Sequence, residues 1–409
     1  MLTRASPSLK ALVVRSARGL GFHLVRVTTA EPMPEHERIA RERVRQGCME
    51  GMPWFTEGRA ELGSNPQALL PGARSIIVVG VDYLPHEEGP ASAPGSAVGR
   101  VARYAPWSDY HGAMKERLRA LVRAVERHLG RPVRSRVFVD DSPLLERAVA
   151  ERAGLGWFGK NTNILTPTHG SWVFLGAVIT DLELEPDGPL KKSCGSCIRC
   201  IPACPTGAIV APYVIDATRC ISYLTIECRG PIPRHLRPLV GDWLFGCDIC
   251  QEVCPVNRDL PSPAPTGVSS PLRRTGFSAL ELVPLLSMTE EEFRKRFRDS
   301  PVRRAKRVGL QRNACVVLGN LGDRTALPAL GRVLREGEPL VRGHAAWALG
   351  RLGGAQAARL LQAALAQESD PWVREEICVA VEGMAAEAVD CQGERAYPGT
   401  GVAAKHACL

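Results

Sequence analysis

No run of eighteen apolar residues occurs in the 409-residue sequence, which argues against a membrane-spanning helix. Acidic residues are missing from the first thirty positions, where Arg4, Lys10, Arg15, Arg18 and Arg26 stand. A basic, acid-poor leader of this kind resembles an organellar transit peptide. Its pattern reads more simply as a helix from about Ser8 to Leu20 and a strand from Phe22 to Thr28, a segment that folds in place. A third absence is one cysteine. The run Cys247-x2-Cys250-x3-Cys254-Pro255 lacks a leading member, because Leu244 occupies that position.

What is there answers that gap. The first cysteine run reads Cys194-x2-Cys197-x2-Cys200-x3-Cys204-Pro205, the bacterial ferredoxin spacing. In that spacing three cysteines hold one four-iron four-sulfur cluster and the fourth reaches across to a second. Cluster one then takes Cys194, Cys197, Cys200 and Cys254; cluster two takes Cys204, Cys247, Cys250 and one residue from the interval. Cys220 and Cys228 are the two candidates. Cys220 is preferred because it opens the apolar run Ile221–Ile226, whereas Cys228 sits beside Arg229-Gly230 where a helix ends. Zinc also binds paired CxxC motifs, but four cysteines in the first run cannot all close on one metal. Cysteines massed in ligand spacing point to a reducing cytosol rather than to a disulfide framework. Paired clusters move single electrons, so the chain is a redox protein.

Length predicts two to four domains. Residues 1–185 alternate helix and strand: Ser75–Val81 is a continuous β-branched run, Val137–Val139 and Trp172–Ile179 are similar, and His111–Leu129 has helical periodicity ending at Gly130. His86–Gly95 is loop by composition, and Leu260–Pro265 is a Pro-rich boundary. Beyond it, Arg312–Gly322 aligns with Gly343–Gly353 at an offset of 31 residues, and Pro339-Leu-Val-Arg342 recurs as Pro371-Trp-Val-Arg374. Helix pairs that repeat in this way stack into a solenoid, because one pair cannot bury its apolar face alone. The net charge of +9 is concentrated in Arg303, Arg304, Lys306, Arg307 and Arg312, read either as a solvated helical face or as an RNA contact.

Several segments, in order, resemble the epoxyqueuosine reductases. They are Val101-Ala-Arg-Tyr-Ala105, Asp109-Tyr-His111, Phe138-Val-Asp-Asp-Ser-Pro143, Arg147-Ala148, Arg152–Asn163, Leu175–Leu182, both cysteine runs and Arg219–Glu227. The resemblance implies reduction of the epoxide of epoxyqueuosine, at the wobble position of tRNA, to queuosine. It also implies cobalamin fed by the two clusters, with the cofactor carrying the hard chemistry. The family's proton donor maps to Asp140. A carboxyl that gives up a proton near neutrality must be held protonated by desolvation or nearby negative charge. Asp141, a departure from the small or hydroxyl residue usual in relatives, would add such charge. Arg103, Lys160, Asn161, Asn163, Ser222 and Thr225, together with Asp140, are the implied cobalamin contacts. Asp109-Tyr-His111 lacks the glycine of a cobalt-binding histidine loop, since Met114 stands there, so no histidine ligand is expected.

The expected fold is multidomain α/β plus α. An α/β cobalamin-binding catalytic domain spans 1–185 and a two-cluster ferredoxin-like domain 186–265. A HEAT-like α-solenoid that binds tRNA spans 266–385, and a disordered tail 386–409. Arg303, Arg304, Lys306 and Arg307 are the expected phosphate contacts. The expected partners are the tRNA anticodon stem-loop and an external one-electron donor such as a flavodoxin or ferredoxin. The protein is expected to be a cytoplasmic monomer. Two rival readings are a reductive dehalogenase-like enzyme and an iron–sulfur electron carrier with a docking arm.

Overall fold

The computed structural model describes residues 8–84, 97–258, 260 and 277–393. The loop expected at His86–Gly95, most of the Pro-rich boundary and residues 394–409 of the expected tail lie outside them.

The N-terminal half is built on a four-stranded sheet. Its strands are β1 (Leu24–Thr29), β2 (Ser75–Asp82), β4 (Ser135–Phe138) and β5 (Val173–Thr180), in the order β1-β2-β5-β4. The short strand β3 (Val98–Val101) belongs elsewhere. Every neighbouring pair in this sheet is antiparallel. The continuous apolar run in β2 therefore reports burial on both faces and not strand direction. Alternate side chains serve the two faces, as the period of a strand requires. Ile77, Val79 and Val81 pack with Val13 and Ala17 of α1 (Leu9–Gly19) and Met114, Leu118 and Leu121 of α2 (Tyr110–Leu129). Ile76 and Val78 pack with Ala148 and Val149 of α3 (Glu146–Arg152). Ser8 caps α1 by accepting the Ala11 N–H, Asp109 caps α2, and α2 stops at Gly130, whose φ of +66° is left-handed.

A second sheet joins distant parts of the chain. In it β3 pairs in parallel with β6 (Trp243–Phe245) and antiparallel with β7 (Ala279–Glu281). Gly99 makes this possible, because a Cβ there would come within 2.6 Å of Leu244 and 2.8 Å of Leu282.

After α4 (Ile221–Ile226), helices α5 (Lys306–Leu321), α6 (Leu327–Glu336), α7 (Pro339–Leu352), α8 (Gly354–Leu365) and α9 (Pro371–Gly393) form the repeats. The repeated glycine has a packing reason: a Cβ at Gly319 would strike Trp347, and one at the equivalent Gly350 would strike Ala380. Helix α9 continues to Gly393, so the first residues of the expected tail have helical backbone. Helix α5 is buried all round, and Arg312, counted from sequence among the exposed basic run, is fully buried. Its guanidinium donates to the carbonyls of Leu224, Cys228 and Gly230 at 2.6, 2.8 and 2.7 Å. Asn313 donates to those of Thr225 and Leu244. These bonds fix the first repeat helix to the cysteine-bearing segment, and an unmade bond there would cost about 1–3 kcal/mol.

Candidate active site

Two cavities adjoin among the N-terminal half and the cysteine-bearing segments. The smaller, about 210 Å³, is lined by Cys204, Cys220, Cys247 and Cys250, the quartet expected for cluster two. Burial pushes the Cys247 thiol up to about 12 and raises those of Cys220 and Cys250 as well. Such thiols keep their protons unless a metal charge draws them off, which suits a ligand set and not a nucleophile. Backbone N–H groups at Ser222 and Tyr223 face the Cys220 sulfur, and the Ala208 N–H donates to Cys204 Sγ at 3.3 Å. Donors of this kind tune a cluster's potential. Cys228 does not line the cavity; its thiol donates to the Gly230 carbonyl. Cys194, Cys197, Cys200 and Cys254 form the other mutually facing group. The twelve cysteines whose side chains are described are free, and grouped thiols are the donor chemistry that a four-iron four-sulfur cluster takes.

The larger cavity, about 280 Å³, shares Arg147, Asn163, Ser222, Cys247 and Gln251 with the first. Its floor is Val173, Phe174 and Leu175 of β5. Asp140 stands at its wall, just past the end of β4, with φ +48°. A non-glycine residue in that region is strained and must be held by its surroundings. Two contacts hold it. The Asp140 N–H donates to both carboxylate oxygens of Glu146, at 3.0 and 2.9 Å, and the Tyr110 hydroxyl donates to Asp140 Oδ2 at 2.6 Å. Tyr110 is itself fixed by stacking on Phe174 at 4.0 Å. Burial, then the charge of Asp140, pushes the Glu146 carboxyl up to about 8. Asp141 turns away to pair with Lys115 at the surface; its charge falls on Glu146 as a smaller cause.

The other residues named from sequence separate into three groups. Asn163 and Ser222 line the catalytic cavity. Asn161 is buried beside the cluster cavity, donating to the Cys250 carbonyl, and Lys160 donates to the Gly195 carbonyl near the first cysteine run. Arg103 points toward Glu252 and the Trp172 ring, its backbone N–H bound by Asp248. Thr225 is fully buried; its hydroxyl donates to the Ile221 carbonyl and accepts the Gly246 N–H, so it braces backbone and does not face the cavity. His111 pairs with Asp109, in keeping with a structural role.

The basic run divides as well. Arg304 enters the catalytic cavity, with Nη1 3.8 Å from Asp140 Oδ2 and Nη2 2.8 Å from Glu227. Arg307 is tied to Glu290 and Glu338, while Arg303 and Lys306 are exposed. Sequence reasoning missed Glu146, Tyr110 and Arg147 as cavity residues. Glu146 immediately precedes the Arg147-Ala148 motif, and Tyr110 lies inside the Asp109-Tyr-His111 segment that was weighed only for its histidine.

Comparison with known proteins agrees with this geometry. The family described as Epoxyqueuosine reductase QueG, DUF1730 matches residues 64–141. A 4Fe-4S double cluster binding domain matches 193–257 and HEAT repeats match 303–382. An epoxyqueuosine reductase of Xanthomonas campestris pv. campestris is 39% identical over 357 residues, covering 86% of this chain and 99% of that protein. The Escherichia coli K12 epoxyqueuosine reductase is 41% identical over 335 residues, covering 81% and 86%. An epoxyqueuosine reductase crystallised with a tRNA-TYR epoxyqueuosine-modified tRNA stem loop superposes with a TM-score of 0.83 at 34% identity, covering 92% of this chain and 99% of its own. By sequence and by fold, the chain belongs to the epoxyqueuosine reductase family.

Proposed function

We propose that this protein is an oxidoreductase that converts the epoxide of epoxyqueuosine in tRNA to the alkene of queuosine, releasing water. The observation that carries the reading is convergence. One cavity is bordered both by Cys247, a ligand for cluster two, and by Asp140, a carboxyl held in a strained, aimed conformation. The reaction needs two electrons and two protons, and those two walls are where each would arrive. Cobalamin, when bound, supplies the two-electron nucleophile that single-electron clusters cannot. Asn163 and Ser222, on the wall common to both cavities, are residues that would hold it.

The chain's own residues then perform the proton chemistry. Asp140 protonates the departing oxygen, since an alkoxide leaves poorly at neutral pH. Glu146 holds its backbone N–H and Tyr110 holds its carboxyl. Arg304 balances charge between Asp140 and Glu227. Arg303 and Lys306 are the exposed cations of the run and the candidates for RNA phosphate. In this reading residues 1–185 are the catalytic domain, 186–265 carry the clusters, and 266–385 dock the anticodon stem-loop. Among the described residues no helix is long and apolar enough to cross a membrane, which suits a cytoplasmic enzyme acting on tRNA.

The test is nucleoside mass spectrometry of epoxyqueuosine-containing tRNA incubated anaerobically with reconstituted protein, cobalamin and a strong reductant. Wild type is expected to form queuosine, and Asp140→Asn to be slower by about 10²–10⁴-fold. Queuosine at equal rates from both would remove Asp140 from its role, and none from fully loaded wild type would overturn the reading.

A further inference from the structure

Exposed apolar side chains gather near the first cysteine quartet. Ten large apolar side chains are exposed among the described residues; Ile198, Val210 and Tyr213, at 53%, 50% and 41%, fall in one short stretch around the first cysteine run. Ile198 sits between two ligands, Cys197 and Cys200. Tyr213 meets the backbone of Cys194 and is held by the Lys160 carbonyl. Val210 lies on the hairpin Ile209–Ile215 that packs against the Cys200–Ala203 turn.

Charge in the chain segment that carries the first cysteine run is all positive. No acidic residue occurs between Asp187 and Asp216, while Lys191, Lys192 and Arg199 are all exposed there. The ammonium of Lys160 adds a further positive charge at Gly195.

We propose that this face is the docking surface for an acidic one-electron carrier protein, and that the first quartet is the electron entry point. The inference rests on the reading that the clusters feed the catalytic cavity. Cluster two lines the interior beside that cavity, so the surface quartet is the one an external donor can approach. Exposed apolar residues with exposed cations in the same segment match a weak, fast encounter: a small dry contact, with long-range attraction raising the association rate. In each encounter the reduced carrier loses one electron and the first cluster gains it. Two encounters supply one epoxide reduction, with protons entering separately at the catalytic cavity.

The experiment is stopped-flow reduction of the reconstituted protein, followed by loss of cluster absorbance, using a reduced acidic flavodoxin. A small neutral photoreductant serves as the control. For wild type the bimolecular rate with the carrier is expected to fall about tenfold or more from low to high salt. For Lys191→Glu/Lys192→Glu it is expected to be about tenfold lower at low salt and nearly insensitive to salt, with unchanged photoreduction. A carrier rate unaffected by salt in wild type, or equal in the variant, would overturn the proposal. Should the double variant fail to load iron, the wild-type salt series and Lys191→Gln decide the matter by the same criteria. The readout is cluster reduction itself, so it holds whether or not queuosine is formed, and failure here is distinct from failure of the proposed reaction.

Discussion

The two cysteine quartets offer the same four sulfurs to very different surroundings. Cys194, Cys197 and Cys200 come from one short loop whose intervening residues, Gly195, Ser196, Ile198 and Arg199, are all exposed. Cys204, Cys220, Cys247 and Cys250 come from three separate segments and meet at the wall of an interior cavity. Three members of the first quartet come from a local turn and the fourth, Cys254, from the second run, whereas the second quartet exists only once α4, β6 and the first repeat helix are packed. In the proposed scheme one would face a donor and the other the chemistry, so position, rather than ligand type, would distinguish their tasks.

The sharpest way to break this comparison is at Cys220. Cys220→Ala is expected to lose close to half the iron and to abolish turnover, whereas Cys228→Ala should do neither, as measured by iron content and queuosine formation. Equal losses from both would dissolve the second quartet as drawn.

The interior wall can next be probed at Glu146, whose carboxyl is raised from the ordinary 4.5 to about 8. The folded state therefore binds this proton more tightly than the unfolded state. Its contribution to stability is full at acid pH and is lost as pH rises through about 8. Glu146→Gln is expected to remove that decline, so thermal midpoints of wild type and variant should diverge between about pH 5 and 8. Turnover should fall about tenfold, because one of the two acceptors holding the Asp140 N–H becomes a donor. Parallel pH profiles would show that Glu146 titrates no differently once the chain unfolds.

The smallest effect belongs to Thr225. Thr225→Val leaves the buried Gly246 N–H without its acceptor and should cost about 1–3 kcal/mol of stability while cobalamin affinity, measured by titration, stays unchanged. A weakened affinity would return Thr225 to the cofactor wall.

These contrasts also mark what was legible in the sequence. The double-cluster domain was readable because a cluster dictates the spacing of its cysteines locally. Strand β2 and helices α1 and α2 were readable because periodicity and capping are local too. Thr225, Arg304 and Arg312 were not, since nothing in their neighbours reveals which side of a helix or turn meets the interior. Arg312 looked like a surface cation beside Arg307, yet it is a fully buried clamp. Glu146 escaped notice because its role depends on the left-handed turn at Asp140, a conformation that sequence preference argues against.

The strand β3 carries one more consequence. Its two partners, β6 and β7, lie far downstream, so at about 5–20 residues per second both edges of β3 stay open for on the order of ten seconds while the chain is synthesised. An unpaired edge invites association with other nascent chains. Here the exposure is limited by brevity: four residues, Val98–Val101, one of them a glycine and one Arg100. The strand that locks the protein together at the end is too short and too charged to be captured at the beginning.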